Sequence, residues 1–380
     1  MTAKTILITG ARAPVALHLA RLFHFAGHRV HLACSIPSPM AAASVACTQF
    51  HLLPSPRSAH SAFRSAIQRI ATDHNVDLII PTCEEVFYLS MIKADLAVPV
   101  WCPDLADLAR VHDKYAFIET VKELGLPAPE TALLKSKADR DAQPESVVFK
   151  PQWSRFASEV MIKPSAQQRA TLDPTAASPW VAQAFVDGVE ISTYAIARDG
   201  KMLGLAQYQS LYRAGKGAGI CFAPVHDDQI TDFVTRFVAG TGWTGQISFD
   251  FIRQADGTIM PLECNPRATS GVHFFRDPAA FGAAVCGAGP AIVPDVSQTQ
   301  AVKLAMWVYG LPKAIRTGRI REFWRTYRTA QDPLDWPADP RPKRQQFNAL
   351  VEIGKIALRD RISLQSASTR DIEWNGPDQS

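Results

Sequence analysis

The first 110 residues alternate short apolar runs with longer amphipathic segments, and this alternation constrains the fold more than any other feature. The apolar runs are TILIT (5–9), RVHLACS (29–35) and VDLIIPT (76–82). Segments 11–28 and 61–75 lie between them and carry the spacing of helices. A βαβαβ order predicts a parallel, doubly wound sheet. The chain is therefore expected to begin with an α/β subdomain.

The turn after the first strand does not match a dinucleotide-binding fingerprint. That fingerprint needs glycines in the order G-x-G-x-x-G, so that the backbone can approach a pyrophosphate. The corresponding positions here are Gly10, Arg12 and Val15, and the second strand ends in Cys34 and Ser35 without an acidic residue for a ribose. We predict a structural βα turn and no nicotinamide site.

The pattern changes near residue 113. Runs such as 180–200 and 201–213 alternate apolar and polar residues around turn signals, which predicts an α+β region with much antiparallel sheet. After about residue 290 the chain reads as helical with proline-rich punctuation. The predicted fold class is thus α/β plus α+β. A length of 380 residues agrees with two or three subdomains.

The composition excludes several classes of protein. A formal net charge of +4 argues against wholesale coating of nucleic acid, and no apolar run has the length of a membrane span. The seven cysteines include no CxxC pair, which favours reduced thiols over disulfides or structural zinc. The N-terminus lacks the long apolar run of a signal peptide, so the expected location is the cytoplasm.

One predicted hairpin brings three metal-ligating side chains together. Strand periodicity over 244–252 and 258–265 places Asp250 on the same face as Glu263 and Asn265, across an Asp-Gly turn. Two carboxylates and an amide oxygen suit Mg²⁺, whose shell is completed by water and substrate phosphates. The alternative is a solvated polar hairpin face. Pro266, Arg267 and the small residues 268–271 favour a site, in which Arg267 would bind a phosphate oxygen.

The segment ECNPR (263–267) resembles the E-x-N-P-R signature of ATP-grasp enzymes, nearest to the carbamoyl-phosphate synthetase and biotin carboxylase branch. Further segments follow in the family's order, namely DKYAF (113–117), FKP (149–151) and AQAFVDGVE (182–190). The resemblance covers roughly residues 1–290. It implies an ATP-grasp fold preceded by a Rossmann-like pre-ATP-grasp subdomain.

The resemblance also implies roles for individual residues. Lys114 and Lys150 match lysines that contact the nucleotide and its α- and β-phosphates. Gln183 falls at the position of the adenine amino contact, Phe185 at a backbone contact to the base, and Glu190 at the ribose hydroxyls. Taken singly, Lys114 is an ordinary solvated lysine at a helix start, and Gln183 and Glu190 are ordinary strand-edge polar residues. Lys150 also follows a buried apolar run, where a charge needs a partner such as phosphate.

One loop departs from the family pattern, and a second loop has two possible roles. The loop 152–159 (QWSRFASE) lacks the family's glycines, so Ser154, Arg155 and Ser158 are the candidate phosphate donors there. The glycine-rich loop in 212–224 carries Arg213 and Lys216. It is either a flexible hairpin tip or a mobile loop beside the active site, and Arg213 is the preferred residue for neutralising an acyl phosphate or the substrate.

Two further features have a structural and a functional interpretation. Segment 311–329 mixes six basic residues with Phe323, Trp324 and Tyr327. It is expected to be a surface helix with its aromatic residues packed inward, and nucleic-acid binding is the less favoured alternative. His273 is either a proton shuttle or, more often for a histidine beside two phenylalanines, a packed core residue.

The resemblance implies an ATP- and Mg²⁺-dependent ligase, with Mn²⁺ as a substitute metal. A substrate carboxylate would be phosphorylated by ATP, and an amine would then displace phosphate to form an amide. The expected substrates are a small metabolite or amino acid and an amine, with no nucleic acid and no membrane as partners, and with a homodimer left open. A bicarbonate-phosphorylating enzyme and a non-catalytic ATP-binding sensor are the alternatives. The expected divisions are 1–112, 113–183 (small lobe), 184–290 (large lobe with the metal site) and 291–380 (helical extension).

Overall fold

The computed structural model describes residues 2–153, 159–215, 217, 219–287 and 289–376. These residues form three sheets, with helices packed on them and a helical C-terminal region. Among the described residues, no helix combines the length and the apolar character that crossing a bilayer requires.

The first sheet is parallel, with strand order β3-β2-β1-β4. Its strands are β1 (Thr5–Ile8), β2 (Arg29–Cys34), β3 (Gln49–Leu52) and β4 (Leu78–Ile80), and its helices are α1 (Pro14–Phe25), α2 (His60–Asp73), α3 (Glu85–Ile92) and α4 (Leu105–His112). Ile6 and Ile8 pack with α1 on one face, whereas Leu7 packs with α2 on the other. Helices therefore cover both faces, as the strand–helix alternation predicts.

The turn after β1 confirms a structural use of Gly10. Its φ is +70°, and a Cβ there would lie 2.4 Å from the Thr82 hydroxyl and 2.7 Å from the Glu85 carboxylate. Only glycine adopts this backbone without strain. The side chains of Thr82 and Glu85 therefore occupy the space beside Gly10.

The second sheet is small and antiparallel, with order β5-β8-β6-β7. Its strands are β5 (Thr131–Leu134), β6 (Val147–Pro151), β7 (Met161–Ile162) and β8 (Trp180–Ala184), and it is accompanied by α5 (Lys114–Glu123), α6 (Lys137–Asp141) and α7 (Ala166–Ala170). Its core is separate from the others and includes the fully buried Phe149.

The third sheet is larger and antiparallel, with order β13-β12-β9-β10-β11-β14. Its strands are β9 (Val189–Arg198), β10 (Lys201–Arg213), β11 (Gly219–Pro224), β12 (Gly245–Arg253), β13 (Ile259–Asn265) and β14 (Gln300–Ala301), with α8 (Asp228–Thr241) and α9 (Pro278–Cys286) beside it. The two main cores each combine residues of this sheet with residues of the first sheet. Gln246 strengthens that junction, because its side chain donates to the Pro81 carbonyl at 2.6 Å and accepts from Tyr194 at 2.7 Å.

The C-terminal region is helical and returns to the first sheet. Its helices are α10 (Lys303–Ala305), α11 (Leu311–Arg316), α12 (Ile320–Thr329), α13 (Arg341–Asp360) and α14 (Leu364–Ala367), and a π-helix (Met306–Gly310) joins α10 to α11. Trp374 is buried and stacks on Phe87, with ring centroids 4.3 Å apart. Asp371 pairs with Arg12 at 2.5 Å. The final described residues are thus part of the first subdomain's structure.

Candidate active site

The predicted metal ligands meet on neighbouring strands of the large sheet. Asp250 of β12 lies directly opposite Glu263 of β13, and side chains opposite one another in an antiparallel pair share a face. The Asn265 amide donates to Asp250 Oδ2 at 3.2 Å. Ser192 of β9 lies opposite Asp250 on its other side and donates to Oδ1 at 2.5 Å. Three adjacent strands therefore position one cluster of oxygen atoms.

The two carboxylates have different electrostatic surroundings. Burial, followed by the charges of Glu263 and Glu190, raises the pKa of Asp250 to about 7. Burial would also raise the pKa of Glu263, but the cations Lys114, Lys150 and Arg267 outweigh it and lower that pKa. Arg213 and the Ser192 hydroxyl compensate the charge of Asp250 only in part. A divalent cation would supply the rest, so the donor set fits Mg²⁺ by charge as well as by ligand type.

Lys150 reaches from the small sheet to the large one. Its Nζ donates to Gln183 Oε1 at 3.0 Å and to the Leu262 carbonyl, on β13, at 2.9 Å. Burial lowers its pKa to about 8, although the charges of Glu263 and Asp250 oppose this shift. A buried ammonium with two neutral acceptors and nearby carboxylates is a ready ligand for a polyanion.

Lys114 occupies the first turn of α5. The side chain of Asp113 caps this helix by accepting from the N–H groups of Tyr115 and Ala116, which fixes the start of the helix. Lys114 is buried, and burial lowers its pKa while Glu263, Glu84 and Asp113 raise it. Both predicted lysines thus lie within the electrostatic reach of Glu263.

Arg267 lies in the turn that follows β13. Its Nη2 donates to Asn265 Oδ1 at 2.9 Å, and its Nε is 3.7 Å from Glu84 Oε1. Asn265 therefore connects Arg267 to Asp250, because the same amide group accepts from one and donates to the other. Glu84 follows β4, so Arg267 also joins the cluster of oxygen atoms to the first subdomain.

Three further candidates lie at strand ends: Phe185 follows β8, Glu190 lies near the start of β9, and Arg213 ends β10. The charges of Glu190 and Arg213 act on Asp250. The Phe185 N–H donates to the Ser146 carbonyl at 3.1 Å, and Lys163 Nζ is 3.7 Å from the centre of the Phe185 ring. Arg213 donates to the Glu190 carboxylate and, through Nη1, to the Gly217 carbonyl at 3.1 Å. The residues predicted for the ribose and for the substrate therefore form an ion pair with each other.

A family model described as an ATP-grasp domain matches residues 111–271. Residues 111–271 are an ATP-grasp domain. The matched region includes every residue proposed from the resemblance, from Lys114 to Arg267. The recognition of the family from ECNPR and its companion segments is confirmed.

One relative found by sequence agrees with this domain assignment. The carbamoyl phosphate synthase large chain of Thermomicrobium roseum is 26% identical over an alignment of 205 residues that covers 48% of this chain and 19% of the relative. This chain therefore spans about a fifth of that relative's length. The chain is thus similar to a carbamoyl phosphate synthase over an extended alignment as well as in short motifs.

Solved structures share the fold. The L-amino acid ligase of Bacillus licheniformis superposes with a TM-score of 0.61 and 14% identity, over 75% of each chain. The biotin carboxylase domain of the Hydrogenobacter thermophilus 2-oxoglutarate carboxylase, in complex with MgADP, ADP and bicarbonate, gives 0.62 and 12% over 79% of this chain and 74% of that one. The predicted ATP-grasp fold with an N-terminal parallel subdomain is confirmed.

Several sequence-based candidates of the ATP-grasp domain lie outside the described residues. These are Ser154, Arg155, Ser158 and Lys216. His273 is buried at 3% exposure, and burial lowers its pKa well below the usual range. In segment 311–329, Phe323 is fully buried and packs with Trp324 and Tyr327 in one core. Both observations agree with the structural interpretations.

The sequence analysis missed an acidic pair beside the ATP-grasp domain. Glu84 and Glu85 follow β4, at the carboxyl edge of a parallel sheet where ligands commonly bind. Glu85 Oε1 accepts from the Thr9 hydroxyl at 2.8 Å and from the N–H groups of Thr82 and Cys83. Its buried Oε2 has no hydrogen-bond partner among the described residues, and Glu85 lines a small pocket with Thr9, Arg12 and Ser35. The sequence PTCEE after an apolar strand was the available signal.

Proposed function

We propose that this chain is an ATP- and Mg²⁺-dependent ligase that joins a small carboxylate substrate to an amine. The observation that carries the proposal is the cluster Asp250–Glu263–Asn265, with Lys114 and Lys150 close to it and Arg267 bonded to it. A site of this kind combines metal-binding oxygens with cations for phosphate groups. The small molecule it serves is proposed to be a metabolite or an amino acid.

The oxygens of Asp250, Glu263 and Asn265 are the proposed metal ligands, and Mn²⁺ is the proposed substitute for Mg²⁺. When bound, the cation would neutralise charge on the phosphates and orient them. Ser192 holds Asp250 in place through its hydroxyl. Asn265 must present its side-chain oxygen while retaining Arg267, which accounts for an amide at this position.

Lys114 and Lys150 are proposed to hold the phosphates, and Gln183, Phe185 and Glu190 to hold the nucleoside. In the first step, a carboxylate oxygen bonds to the γ-phosphorus and the bond to the β–γ bridging oxygen breaks, which releases ADP. Arg267 would offset charge on the transferring group, positioned by Asn265 and Glu84. Arg213 is proposed for the substrate carboxylate, which requires it to exchange its bond to Glu190 for one to the substrate. Ser154 and Arg155 are proposed for the phosphates from sequence alone.

The amine is proposed to approach from the first subdomain. Glu85 has one buried oxygen without a partner among the described residues, and Glu84 adjoins Arg267. The Glu85 carboxylate would attract the ammonium form of the amine substrate. It would also accept the proton that the amine nitrogen loses when it attacks. The nitrogen then bonds to the acyl carbon, and the carbon–oxygen bond to phosphate breaks. The products are an amide, phosphate and ADP.

Two alternatives are outcomes of the same test. A bicarbonate-phosphorylating enzyme would use the same cations and metal, and an ATP-binding sensor would keep the nucleotide site without turnover. A homodimer and a cytoplasmic location belong to the proposal as well. No side-chain nucleophile is needed in any of these mechanisms.

The test is ADP release by the full chain with MgATP, measured against a panel of carboxylates, amines and bicarbonate, with product detection by mass spectrometry. The proposal expects ADP, phosphate and amide in equal amounts only when a carboxylate and an amine are both present. Release that requires bicarbonate indicates the second candidate. Saturable MgATP binding without turnover on any pair indicates the sensor and contradicts the ligase.

A further inference from the structure

Three histidines from three different elements meet in the first subdomain. His31 belongs to β2, His51 to β3, and His74 follows the last residue of α2. One ring nitrogen of each lies within 4.8 Å of the other two, and His31 Nδ1 is 2.9 Å from His51 Nε2. The ring centroids are 4.7–5.3 Å apart. This group is called the histidine cluster below.

The parallel sheet explains why these side chains meet. His51 is opposite Ala33, and Ala33 shares a strand face with His31 because the two are two positions apart in β2. Helix α2 packs on that face of the sheet and ends at Asp73, beside the two strands. The cluster therefore connects the edge strand β3 and its neighbour β2 to the end of the covering helix.

Imidazole nitrogens select the class of ligand. The 2.9 Å contact joins His31 Nδ1 to His51 Nε2, so one of these two ring nitrogens carries a lone pair that accepts the other's proton. Sites made only of imidazole suit Zn²⁺, Cu²⁺ or Ni²⁺, whereas Mg²⁺ prefers oxygen.

We propose that His31, His51 and His74 form a binding site for a transition-metal dication, Zn²⁺ by preference, with three imidazole ligands and one open position. His31 is buried, whereas His51 and His74 are half-buried, so the open position faces solvent. Three histidines plus a solvent molecule are a known tetrahedral arrangement for zinc.

The present geometry requires only a small adjustment to hold the ion. Two nitrogens on one tetrahedral zinc lie about 3.3 Å apart, given bonds of about 2.0–2.1 Å. The pair at 2.9 Å must open slightly, and nitrogens separated by up to 4.8 Å must close. The proton between His31 and His51 moves to the other nitrogen of its ring, which changes the tautomer and releases no proton. The positive charge of Arg29 acts on His31 and would repel the metal ion, which weakens its binding.

The site would be independent of the proposed ligase chemistry. The histidine cluster lies on the first sheet, whereas Asp250 and Glu263 lie on the third and offer oxygen ligands. An ion in the cluster would tie the edge strand β3 to α2. Its expected effect is therefore greater stability of the first subdomain.

The experiment is calorimetric titration of Zn²⁺ into the full-length, metal-free protein, which must carry no polyhistidine tag, with a non-chelating reductant protecting the thiols. We expect binding of one equivalent and a rise in the unfolding temperature that a chelator reverses. His51→Gln and His74→Gln each remove a proposed zinc ligand and should weaken zinc binding at least about 100-fold. Mutating a residue that only hydrogen-bonds to a metal ligand already weakens metal binding about 10- to 100-fold. Co²⁺ should give a visible absorption band in the wild type only.

Controls separate the cluster from other metal-binding groups. His226→Gln removes an exposed histidine that bonds to Asp228 and should leave zinc binding unchanged. Glu263→Gln should leave the binding of the first equivalent of Zn²⁺ unchanged, which distinguishes the histidine cluster from the proposed ATP site. The metal-free unfolding temperatures of both cluster variants should match the wild type, which shows that they fold. Equal zinc uptake by the wild type and the two cluster variants, or no uptake by the wild type, overturns the proposal.

Discussion

Asp250 lies opposite Glu263 in the β12–β13 pair, yet the protein's cations lower the pKa of Glu263, whereas burial and neighbouring carboxylates outweigh Arg213 and raise that of Asp250. Glu263→Gln keeps the shape of the side chain and removes the charge that holds the lysines and the proposed metal. We expect the rate of ADP release to fall about 100-fold or more, as for loss of one group that stabilises transferring charge. Steady-state kinetics at saturating MgATP measure the effect.

Asp256→Asn is the matched control for Glu263→Gln. Asp256 is exposed in the turn of the same hairpin, where its carboxylate accepts from the Thr258 N–H. The rate of ADP release by Asp256→Asn should equal that of the wild type. Full activity in Glu263→Gln would show that the metal ligands have been assigned incorrectly.

Lys150→Met tests the link between the two antiparallel sheets. The loss of a charged hydrogen bond to phosphate costs about 1.5–3 kcal/mol, so ATP affinity should fall roughly 10- to 100-fold. Stability should change little, because removing a buried charge offsets the loss of its bonds to Gln183 and Leu262. Nucleotide titration and urea denaturation provide the two measurements.

Lys137→Met provides the comparison, since Lys137 lies in the same lobe but is exposed and paired with Asp173. Nucleotide affinity should be unaffected in that variant. If Lys150→Met binds ATP as tightly as Lys137→Met does, Lys150 is a structural lysine and not a phosphate ligand.

Glu85→Gln tests the proposed amine pocket. The amide oxygen can still accept from Thr9, Thr82 and Cys83, so the local fold is retained. Loss of the negative charge should raise the KM for the amine about tenfold or more while the KM for ATP stays constant. Glu119→Gln, an exposed change on α5, should alter neither constant. Parallel rises in both KM values would indicate a general distortion and contradict the assignment.

The juxtaposition of the proposed metal ligands could be predicted from sequence because strand periodicity and a short turn determine it. Asp250 and Glu263 are only 13 residues apart, and the hairpin register places them opposite one another. The lysines required more, since Lys150 reaches Leu262 across 112 residues. Their roles came from the order of family motifs and stay predictions.

Other features depend on long-range packing that no local pattern shows. The Glu190–Arg213 ion pair follows from the relative placement of β9 and β10, and the short edge strand β3 has no apolar run. The histidine cluster needs two strands and a helix end. The return of residues 368–374 to the first sheet was not predicted, because a helical extension can pack in many places.

Asp371→Ala measures the contribution of that returning segment. Arg12 is 6% exposed and bonds to both oxygens of Asp371, which is 27% exposed. Removing Asp371 leaves a buried guanidinium and the Ser35 hydroxyl without this partner, which should cost about 3 kcal/mol of stability. Urea denaturation of the full chain checks the value. Glu373→Ala breaks the exposed pair with Arg57 and should cost at most about 1 kcal/mol. Equal losses in the two variants would contradict the argument from burial.

His18 and His273 predict a loss of stability in acid. Their rings are 4.8 Å apart in the core, and burial lowers the pKa of His18 from 6.5 to about 3 and that of His273 well below 6.5. Above pH 6.5 both residues are neutral in the folded and unfolded chains, so they add no pH dependence. Between pH 6.5 and about 3 the unfolded chain binds protons that the folded chain cannot, so stability falls as the pH falls.

The expected loss is about 2 kcal/mol for His18 between pH 8 and pH 5, from about 1.36 kcal/mol per pH unit below the unfolded pKa, and His273 contributes a loss in the same direction. His18→Gln retains a donor for the Phe275 carbonyl, which His18 Nε2 meets at 2.8 Å. The difference in unfolding free energy between pH 8 and pH 5 should therefore shrink by about 2 kcal/mol in this variant. The exposed change His226→Gln leaves the burial of His18 and His273 intact and should keep the wild-type difference. An unchanged difference in His18→Gln would mean that His18 becomes protonated inside the folded core, because the unfolded chain then gains no advantage from binding the proton.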